Sequence, residues 1–204
     1  MRKPLFLPLI LASTSVYRRE LLERLNIPFS CVSPGVREEP IAGEPPPERA
    51  LRLAQAKARA VSAQYPQAVV IGSDQVCAAG ERVLGKPGDA AAARAQLAAL
   101  SGSEASFHTA CAVMGPTANA AKPGEARPLL HLDRTIVRFR ALDAGEIARY
   151  VELDRPLDCA GGFKVESAGI ALFTRVASAD PTALTGLPLI FVADALRRFG
   201  YQVP

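Results

Sequence analysis

Apolar runs along the first third of the chain alternate with stretches of helical periodicity. Residues 7–12 are almost continuously apolar, which is typical of a buried strand. Leucines at helical spacing follow within residues 17–25, and Ser13 or Ser15 stands where a helix N-cap is expected. Residues 29–33 then resemble a short second strand. The pattern therefore predicts a strand, a helix and another strand at the start of the fold.

A longer helix is predicted over residues 48–65. Leu53 and Lys57 occupy the same i, i+4 row of this helix, so a lysine lies among apolar side chains. The next apolar run, residues 68–71, predicts a buried parallel strand that ends at Asp74. Because open α/β sheets bind ligands at the ends of such strands, Asp74 marks a candidate site.

The second half of the chain continues the alternation. The predicted elements are a helix capped by Asp89, strands at 106–114 and 133–142, a helix at 143–153 with the capping-box pair Asp143 and Glu146, a glycine-rich then strand-like segment at 159–173, and a closing helix at 186–200. This order predicts an α/β fold in a single domain, residues 1–204, or in one elongated domain with two lobes.

Composition narrows the class of protein. Of the 204 residues, 49% are apolar, which is enough to bury a sizeable core. A net charge of +4 is far from the basic surface of a nucleic-acid-binding protein. The four cysteines contain no CxxC pair, so free thiols in a reducing compartment are expected. The N-terminal apolar run imitates a signal peptide, but its prolines and the lack of a small-residue cleavage pattern favour a strand.

One apparent phosphate-binding motif fails on chemical grounds. Residues 80–86, GERVLGK, have the spacing of a Walker A loop. Pro87 follows the lysine where Ser or Thr would hold magnesium, and bulky residues stand where small ones let the backbone approach phosphate. A β-hairpin turn at Ala79 and Gly80 is the better interpretation, and it leaves Lys86 as a single basic group after a glycine.

The hydroxyl-rich stretch ASTSVYRRE, residues 12–20, suits a polyanion. Ser13 lies in the turn after the first strand, and Arg18 and Arg19 lie just inside the following helix. Hydroxyls, a helix N-terminus and guanidinium groups are good partners for phosphate oxygens. A helix cap followed by two solvated arginines explains the same residues equally well.

Acidic and basic side chains elsewhere fit the same kind of ligand. Glu38, in a turn-rich loop, and Asp74 carry the hard oxygen donors that Mg²⁺ or Mn²⁺ prefers. Lys57 and Lys86 are candidate phosphate contacts. The alternatives are solvated carboxylates and, for Lys57, a side chain that extends along the apolar surface to reach solvent.

Several segments, in order along nearly the whole chain, resemble the motifs of the Maf-like nucleotide pyrophosphatases. They are LILASTSVYRRELLERLNIPFSCVSPGVREEP, LAQAKA, IGSDQV, GKP, SGSEASFHTACAV, CAGGFKVESAGIALF and GLPL. The resemblance implies an elongated mixed-sheet α/β fold with a central cleft, like that of Maf proteins and inosine-triphosphate pyrophosphatases. It also implies a cytoplasmic homodimer that binds a small-molecule nucleotide, with neither nucleic acid nor a membrane as partner.

The resemblance further implies roles for individual residues. The family cleaves nucleoside triphosphates to monophosphate and pyrophosphate with a divalent metal, Mg²⁺ or Mn²⁺. By motif, Asp74 becomes the general base and a metal ligand, and Glu38 becomes a second metal ligand. The implied phosphate-binding residues are Ser13, Arg18, Arg19, Lys57 and Lys86.

Three positions distinguish the subgroups of this family, and here they are Tyr17, Gln75 and Glu166. This combination resembles the 7-methyl-GTP pyrophosphatase subgroup. N7-methylation places positive charge on guanine, which favours stacking on an aromatic ring such as that of Tyr17. The Glu166 carboxylate is suited to accept the N1–H and the exocyclic amine. For Tyr17 alone, its spacing to the helix leucines fits a core position equally well.

Two residues depart from the family pattern. Val16 stands where proline is common, and Arg37 stands where an acid usually precedes Glu38. If that acid helps to hold metal, binding is weaker in this chain. The same hydrolysis on dTTP, UTP or another modified nucleotide, and a nucleotide-binding regulator of cell division without turnover, are the alternative functions.

Overall fold

A computed structural model describes residues 7–117 and 127–203 of the chain. Within them lie seven strands: β1 (Leu9–Leu11), β2 (Ser30–Cys31), β3 (Val69–Ala79), β4 (Arg82–Leu84), β5 (Glu104–Met114), β6 (Leu129–Phe139) and β7 (Phe173–Ala177). The five α-helices there are α1 (Val16–Glu23), α2 (Pro46–Gln64), α3 (Ala90–Leu100), α4 (Ala144–Asp154) and α5 (Leu189–Arg198). Short 3-10 helices occupy Ala168–Leu172 and Ala183–Thr185.

The strands form one mixed sheet in the order β2-β1-β3-β5-β6-β7, with β4 paired to β3 as a hairpin. β1 runs parallel to β2 and β3. The neighbouring pairs β3–β5, β5–β6 and β6–β7 are each antiparallel. The predicted mixed-sheet α/β class is therefore confirmed. None of the helices in the described residues is both long and apolar enough to cross a membrane.

β3 differs from the prediction at its end. The strand passes through Asp74 and continues to Ala79, so Asp74 lies in the middle of a strand. β1 pairs with β3 only as far as Ile71, but β5 pairs with β3 along nearly its whole length. The antiparallel neighbour satisfies the backbone beyond the end of β1, which sequence alone did not reveal. Gly80, with φ of +59°, then forms the predicted hairpin turn.

α2 packs closely on β3 because Gly72 has no side chain. A Cβ atom at Gly72 would lie 2.5 Å from the carbonyl oxygen of Ala54 and 2.6 Å from the nitrogen of Ala58. Gly72 and Asp74 point to the same face of the sheet, since side chains alternate along a strand. The close approach therefore brings the turn of α2 between Ala54 and Ala58, which carries Lys57, against Asp74.

Apart from the end of β3, most predicted elements are confirmed, and a second error lies at residues 159–173. That segment forms turns and the 3-10 helix Ala168–Leu172, and the strand begins only at Phe173. Both hydrogen bonds of the Asp143–Glu146 capping box are present. Asp89 caps α3, and no helix begins directly after Lys86, as the rejection of a Walker A loop requires. The small, polar and proline-rich composition of residues 115–128 predicts a loop, and residues 118–126 of it lie outside the described residues.

Two large apolar clusters pack on the sheet. One contains Phe139 and Phe163 together with residues of α3 and α4. The other contains Leu11 of β1 with residues of α1 and α5, among them Leu196. Helix α1, which carries Arg18 and Arg19, therefore packs into one apolar cluster, and the loop that follows α4 packs into the other.

Candidate active site

Lys57 lies at the centre of a cluster of charged side chains. Its residue is only 6% exposed, and its Nζ atom is 2.6 Å from Asp74 Oδ1 and 2.6 Å from Glu38 Oε1. Asp74 is also 6% exposed, so this pair lies away from bulk water. Lys57 therefore does not extend to solvent, and its position on an apolar row places it against two carboxylates.

Two arginines of α2 hold the loop that presents Glu38. Arg49 donates to the backbone carbonyl of Glu38 at 3.2 Å, and Arg52 donates to that of Glu39 at 3.3 Å. Arg52 also pairs with Glu44, which fixes the other end of the loop. These contacts leave the Glu38 side chain, rather than that of Glu39, to meet Lys57.

The two carboxylates differ in their proton affinity. Burial raises the pKa of Asp74 above its ordinary value, although the charges of Lys57 and Arg18 oppose this effect. Burial also acts to raise the pKa of Glu38, but the hydrogen bond and charge of Lys57, with the charges of Arg18 and Lys86, lower it overall. Its surroundings therefore make Asp74 a stronger base than an ordinary Asp and make Glu38 a weaker base than an ordinary Glu.

Arg18 reaches this cluster from the first turn of α1. Ser15 caps the helix, and the Ser13 hydroxyl accepts a hydrogen bond from the Ser15 nitrogen at 3.1 Å. The Nε atom of Arg18 donates to the carbonyl oxygen of Gly186 at 2.9 Å. Burial lowers the pKa of Arg18, and the charges of Asp74 and Glu38 oppose this, so its guanidinium faces both carboxylates.

Of the other two residues predicted to bind phosphate, Lys86 lies near the carboxylates and Arg19 does not. Lys86 is exposed after β4, and its charge lowers the pKa of Glu38, which places it beside the cluster. Arg19 is exposed and pairs with Glu23 one helical turn away, at 3.1 Å. The structure thus groups Arg18, Lys57 and Lys86 around the carboxylates, whereas the contact of Arg19 is on the outer face of α1. A phosphate role for Arg19 stays a prediction.

The side chain of Tyr17 contacts Cys159 and lies within electrostatic range of Glu166. Cys159 Sγ donates to the Tyr17 hydroxyl oxygen at 3.8 Å. Burial raises the pKa of Tyr17, and the charges of Cys159, Asp158 and Glu166 add to that increase. Partial desolvation also raises the pKa of Glu166, which is itself an exposed residue. The structure therefore brings the Tyr17 ring to Cys159, and joint recognition of a base by Tyr17 and Glu166 stays a prediction.

The side chain of Gln75 lies on the opposite face of the sheet from that of Asp74. Its amide nitrogen donates to Thr109 Oγ1 at 2.9 Å and to the backbone carbonyls of Ala183 and Leu184, both at 3.0 Å. Asp74 and Gln75 are consecutive in β3, so their side chains point to opposite faces of the sheet. A contact between Gln75 and the base stays a prediction.

Sequence reasoning missed three residues of the site. Cys159 contacts Tyr17 and is partly exposed, although a cysteine is by default a small buried side chain. Thr109 alternates normally within a strand, and Gly186 contributes a backbone carbonyl, which every residue type has. Their one signal is that all three lie inside segments that carry the family resemblance, CAGGFK, SFHTACAV and GLPL.

The donor set fits a hard divalent cation that retains other ligands. No group of three or more His, Cys, Asp and Glu side chains suited to a metal is present among residues 7–117 and 127–203. Glu38 and Asp74 nevertheless direct one oxygen each at a single cationic atom, Lys57 Nζ. Mg²⁺ is commonly bound by one or two carboxylates, with water and substrate phosphates completing the coordination.

Comparisons with known proteins agree over nearly the whole length. The family model described as Maf-like protein matches residues 8–199. A protein from Xanthomonas oryzae pv. oryzae named 7-methyl-GTP pyrophosphatase is 50% identical over 96% of this chain and 98% of its own. Proteins of the same name from Aromatoleum aromaticum and Cupriavidus metallidurans are 49% and 48% identical, over 96% and 95% of this chain and 97% and 94% of their own.

A solved structure has a more distant likeness. A HAM1 protein from Coxiella burnetii aligns with 66% of this chain and 73% of its own, with a TM-score of 0.42 and 18% identity. No conclusion depends on this likeness.

Proposed function

This chain belongs to the Maf-like protein family, and we propose that it hydrolyses 7-methyl-GTP to 7-methyl-GMP and pyrophosphate. Relatives at about 50% identity over 96% of the chain carry the name of that activity. The structural observation that carries the proposal is the cluster in which buried Asp74, with its raised pKa, meets Lys57 beside Arg18. Such a site supplies a base and positive charge at the same place.

Phosphoryl transfer depends mainly on positioning and on neutralising charge. Arg18, Lys57 and Lys86 are the cations that face the carboxylates, and each suits the oxygens of a triphosphate. The Ser13 hydroxyl, in the turn before α1, is a further hydrogen-bonding group on that side. Binding a triphosphate here would replace part of the interaction between these cations and the carboxylates.

In the proposed reaction, Asp74 activates a water molecule. The water oxygen forms a bond to the α-phosphorus, and the bond from that phosphorus to the α–β bridging oxygen breaks. Pyrophosphate leaves with the bridging oxygen, and Asp74 accepts a proton from the water. The raised pKa of Asp74 strengthens it as a base, while the charges of Lys57 and Arg18 favour the ionised form that a base must have.

We propose Glu38 and Asp74 as the residues that would hold Mg²⁺ or Mn²⁺. The ion, when bound, would neutralise charge on the phosphate oxygens. Arg37, in place of the usual family acid, is exposed, and only Glu38 reaches Lys57 from that loop. Chelation is expected to abolish pyrophosphate release and to leave the unfolding temperature unchanged; an unchanged rate would contradict the metal assignment.

At the other end of the site, Tyr17 and Glu166 are proposed to recognise the base. We expect the positively charged ring of N7-methylguanine to stack on Tyr17. We expect the Glu166 carboxylate to accept hydrogen bonds from two N–H groups at the edge of the same base. The contact between Tyr17 and Cys159, and the charge of Glu166 acting on both of these groups, support this assignment. We extend the proposal to a cytoplasmic homodimer on family resemblance alone, and light scattering after size-exclusion chromatography tests the dimer.

The decisive experiment compares kcat/KM for 7-methyl-GTP, GTP, dTTP and UTP, with pyrophosphate release as the readout. We expect 7-methyl-GTP to have the highest value. A preference for dTTP or UTP would overturn the substrate assignment while leaving the hydrolysis intact. Binding of 7-methyl-GTP without pyrophosphate release from any substrate would instead indicate a regulator that has no turnover.

A further inference from the structure

The turn between β7 and α5, residues 183–187, is held by side chains of the sheet. Gln75 Nε2 donates to the carbonyls of Ala183 and Leu184, and Thr109 Oγ1 donates to that of Ala183 at 2.9 Å. Ser73 Oγ lies 2.9 Å from the carbonyl oxygen of Gly186 and 2.8 Å from that of Ala110, so the two carbonyls share its single hydroxyl hydrogen. Three polar side chains are thus directed at the backbone of one short turn.

These side chains form a continuous row. Ser73 and Gln75 are two residues apart on β3 and share a face, and Thr109 is the cross-strand partner of Gln75 on β5. Ser73 and Thr109 are fully buried. Their face is opposite to that of Asp74, so the row lies behind the charged cluster. We call Ser73, Gln75 and Thr109 the turn clamp.

The turn clamp fixes the atom that orients Arg18. The Gly186 carbonyl oxygen accepts from both Ser73 Oγ and Arg18 Nε, each at 2.9 Å. Gly186 has φ of +117°, a conformation that favours glycine, and a Cβ there would lie 3.4 Å from Arg18 Nε. The Nε bond occupies one edge of the guanidinium and leaves its other nitrogens available to a ligand.

Gln75 has no free amide hydrogen for a nucleobase in this arrangement. A carboxamide carries two N–H donors, and three acceptors already lie within 3.0 Å of Gln75 Nε2. Reading a base would require Gln75 to abandon the carbonyls of Ala183 and Leu184. Its observed partners instead lead through the turn to Gly186 and then to Arg18.

We propose that Gln75 is a positioning residue for Arg18, acting through the 183–187 turn, and does not read the base. This inference rests on the proposed hydrolysis, in which Arg18 binds the triphosphate. It changes the role of a residue that distinguishes subgroups within the family. The expected consequence of its loss is weaker binding of every triphosphate by the same factor.

The test uses Gln75→Leu, which keeps a similar volume and removes the donors. We expect KM for 7-methyl-GTP, GTP and UTP to rise by a common factor of about tenfold, which corresponds to about 1.4 kcal/mol and is the size of one or two net hydrogen bonds. The selectivity ratios among the three substrates should stay unchanged. The dissociation constant of magnesium pyrophosphate, measured by calorimetry, should rise by the same factor.

A double-mutant cycle separates this role from a purely structural one. Arg18→Lys keeps the positive charge but removes the Nε donor. If Gln75 acts through Arg18, adding Gln75→Leu to Arg18→Lys produces little further rise in KM, because coupled residues are non-additive. Independent, multiplicative effects would overturn the proposal, as would a lower unfolding temperature with unchanged KM and pyrophosphate binding.

Thr109→Val provides a second variant if Gln75→Leu does not fold. It removes the donor to Ala183 and is expected to give a smaller, equally unselective rise in KM. A change in the ratio of 7-methyl-GTP to UTP in either variant would show that Gln75 reads the base. Failure of the 7-methyl-GTP assignment itself would appear in the wild-type substrate comparison, whereas pyrophosphate binding would still report on Arg18.

Discussion

The two ends of the site are built differently. The phosphate region, defined by Arg18, Glu38, Lys57, Asp74 and Lys86, combines side chains from α1, α2 and β3 with Glu38 and Lys86 from loops, and Lys57 is paired with both carboxylates at 2.6 Å. The base region, defined by Tyr17, Cys159 and Glu166, combines one helix residue with the irregular segment before β7. Its one direct contact among those three residues in the described structure is a weak thiol hydrogen bond of 3.8 Å.

This difference indicates how the two regions divide their work. The buried ion pair of Lys57 with Asp74 joins two packed elements, α2 and β3, and gives the centre of the phosphate region a fixed geometry that every nucleoside triphosphate uses in the same way. The base region carries little charge compensation and depends on loop residues, so its composition changes more easily. Damage to the first region should affect the reaction, and damage to the second should affect the choice of substrate.

The largest expected effect tests the phosphate region. Asp74→Asn removes the proton acceptor but retains an oxygen for Lys57, so kcat should fall about 10²–10⁴-fold for all substrates. Pyrophosphate release and the unfolding temperature are measured together. Asp143→Asn is the matched control, because Asn also caps helices and Asp143 lies at the start of α4. Near-wild-type turnover of Asp74→Asn would refute the mechanism.

A smaller effect is expected from Glu166→Gln in the base region. The variant replaces one acceptor oxygen with an amide donor, and hydrogen bonds to charged groups are worth about 1.5–3 kcal/mol. The ratio of kcat/KM for 7-methyl-GTP over UTP should therefore fall about tenfold to hundredfold. A uniform fall for both substrates would mean that Glu166 belongs with the phosphate region.

Tyr17 offers a more limited test of stacking. Tyr17→Leu should raise KM for 7-methyl-GTP about threefold to thirtyfold, because cation–π contacts contribute about 0.5–2 kcal/mol. GTP, whose base lacks the methyl-induced charge, should be affected less. Tyr17→Phe keeps the ring and loses the Cys159 contact, so it should behave like the wild type. If Tyr17→Leu and Tyr17→Phe raised KM for 7-methyl-GTP equally, the effect would belong to the hydroxyl group and not to the ring.

The smallest expected effect concerns pH. The pKa of Glu166 is raised above 4.5, and Asp158 contributes to the increase. The carboxylate accepts from the base only when ionised, so KM for 7-methyl-GTP relative to UTP should increase as pH falls through that raised pKa. Asp158→Asn removes a negative neighbour, lowers the pKa of Glu166 and should move this increase to lower pH. A profile unchanged by Asp158→Asn would contradict the coupling.

The sequence was sufficient for most of the local structure. Apolar periodicity located the helices and long strands, because burial of one face imposes that spacing on each element. The Asp143–Glu146 capping box was equally clear, since both of its hydrogen bonds are local. The motifs around Asp74 and Lys57 also identified the family. In these cases the determining interactions lie within one element or one short segment.

Tertiary structure decided the features that join distant segments. Antiparallel pairing with β5 extended β3 beyond Asp74, and the absence of a side chain at Gly72 allowed Lys57 to approach that carboxylate. Arg18 donates to the backbone carbonyl of Gly186. Because every residue type has this carbonyl, the sequence could not single it out. ASTSVYRRE likewise divides only in three dimensions: Arg18 faces the carboxylates, Arg19 pairs outward with Glu23, and Tyr17 meets Cys159. A sequence fixes which groups a helix carries, but packing determines what each of them faces.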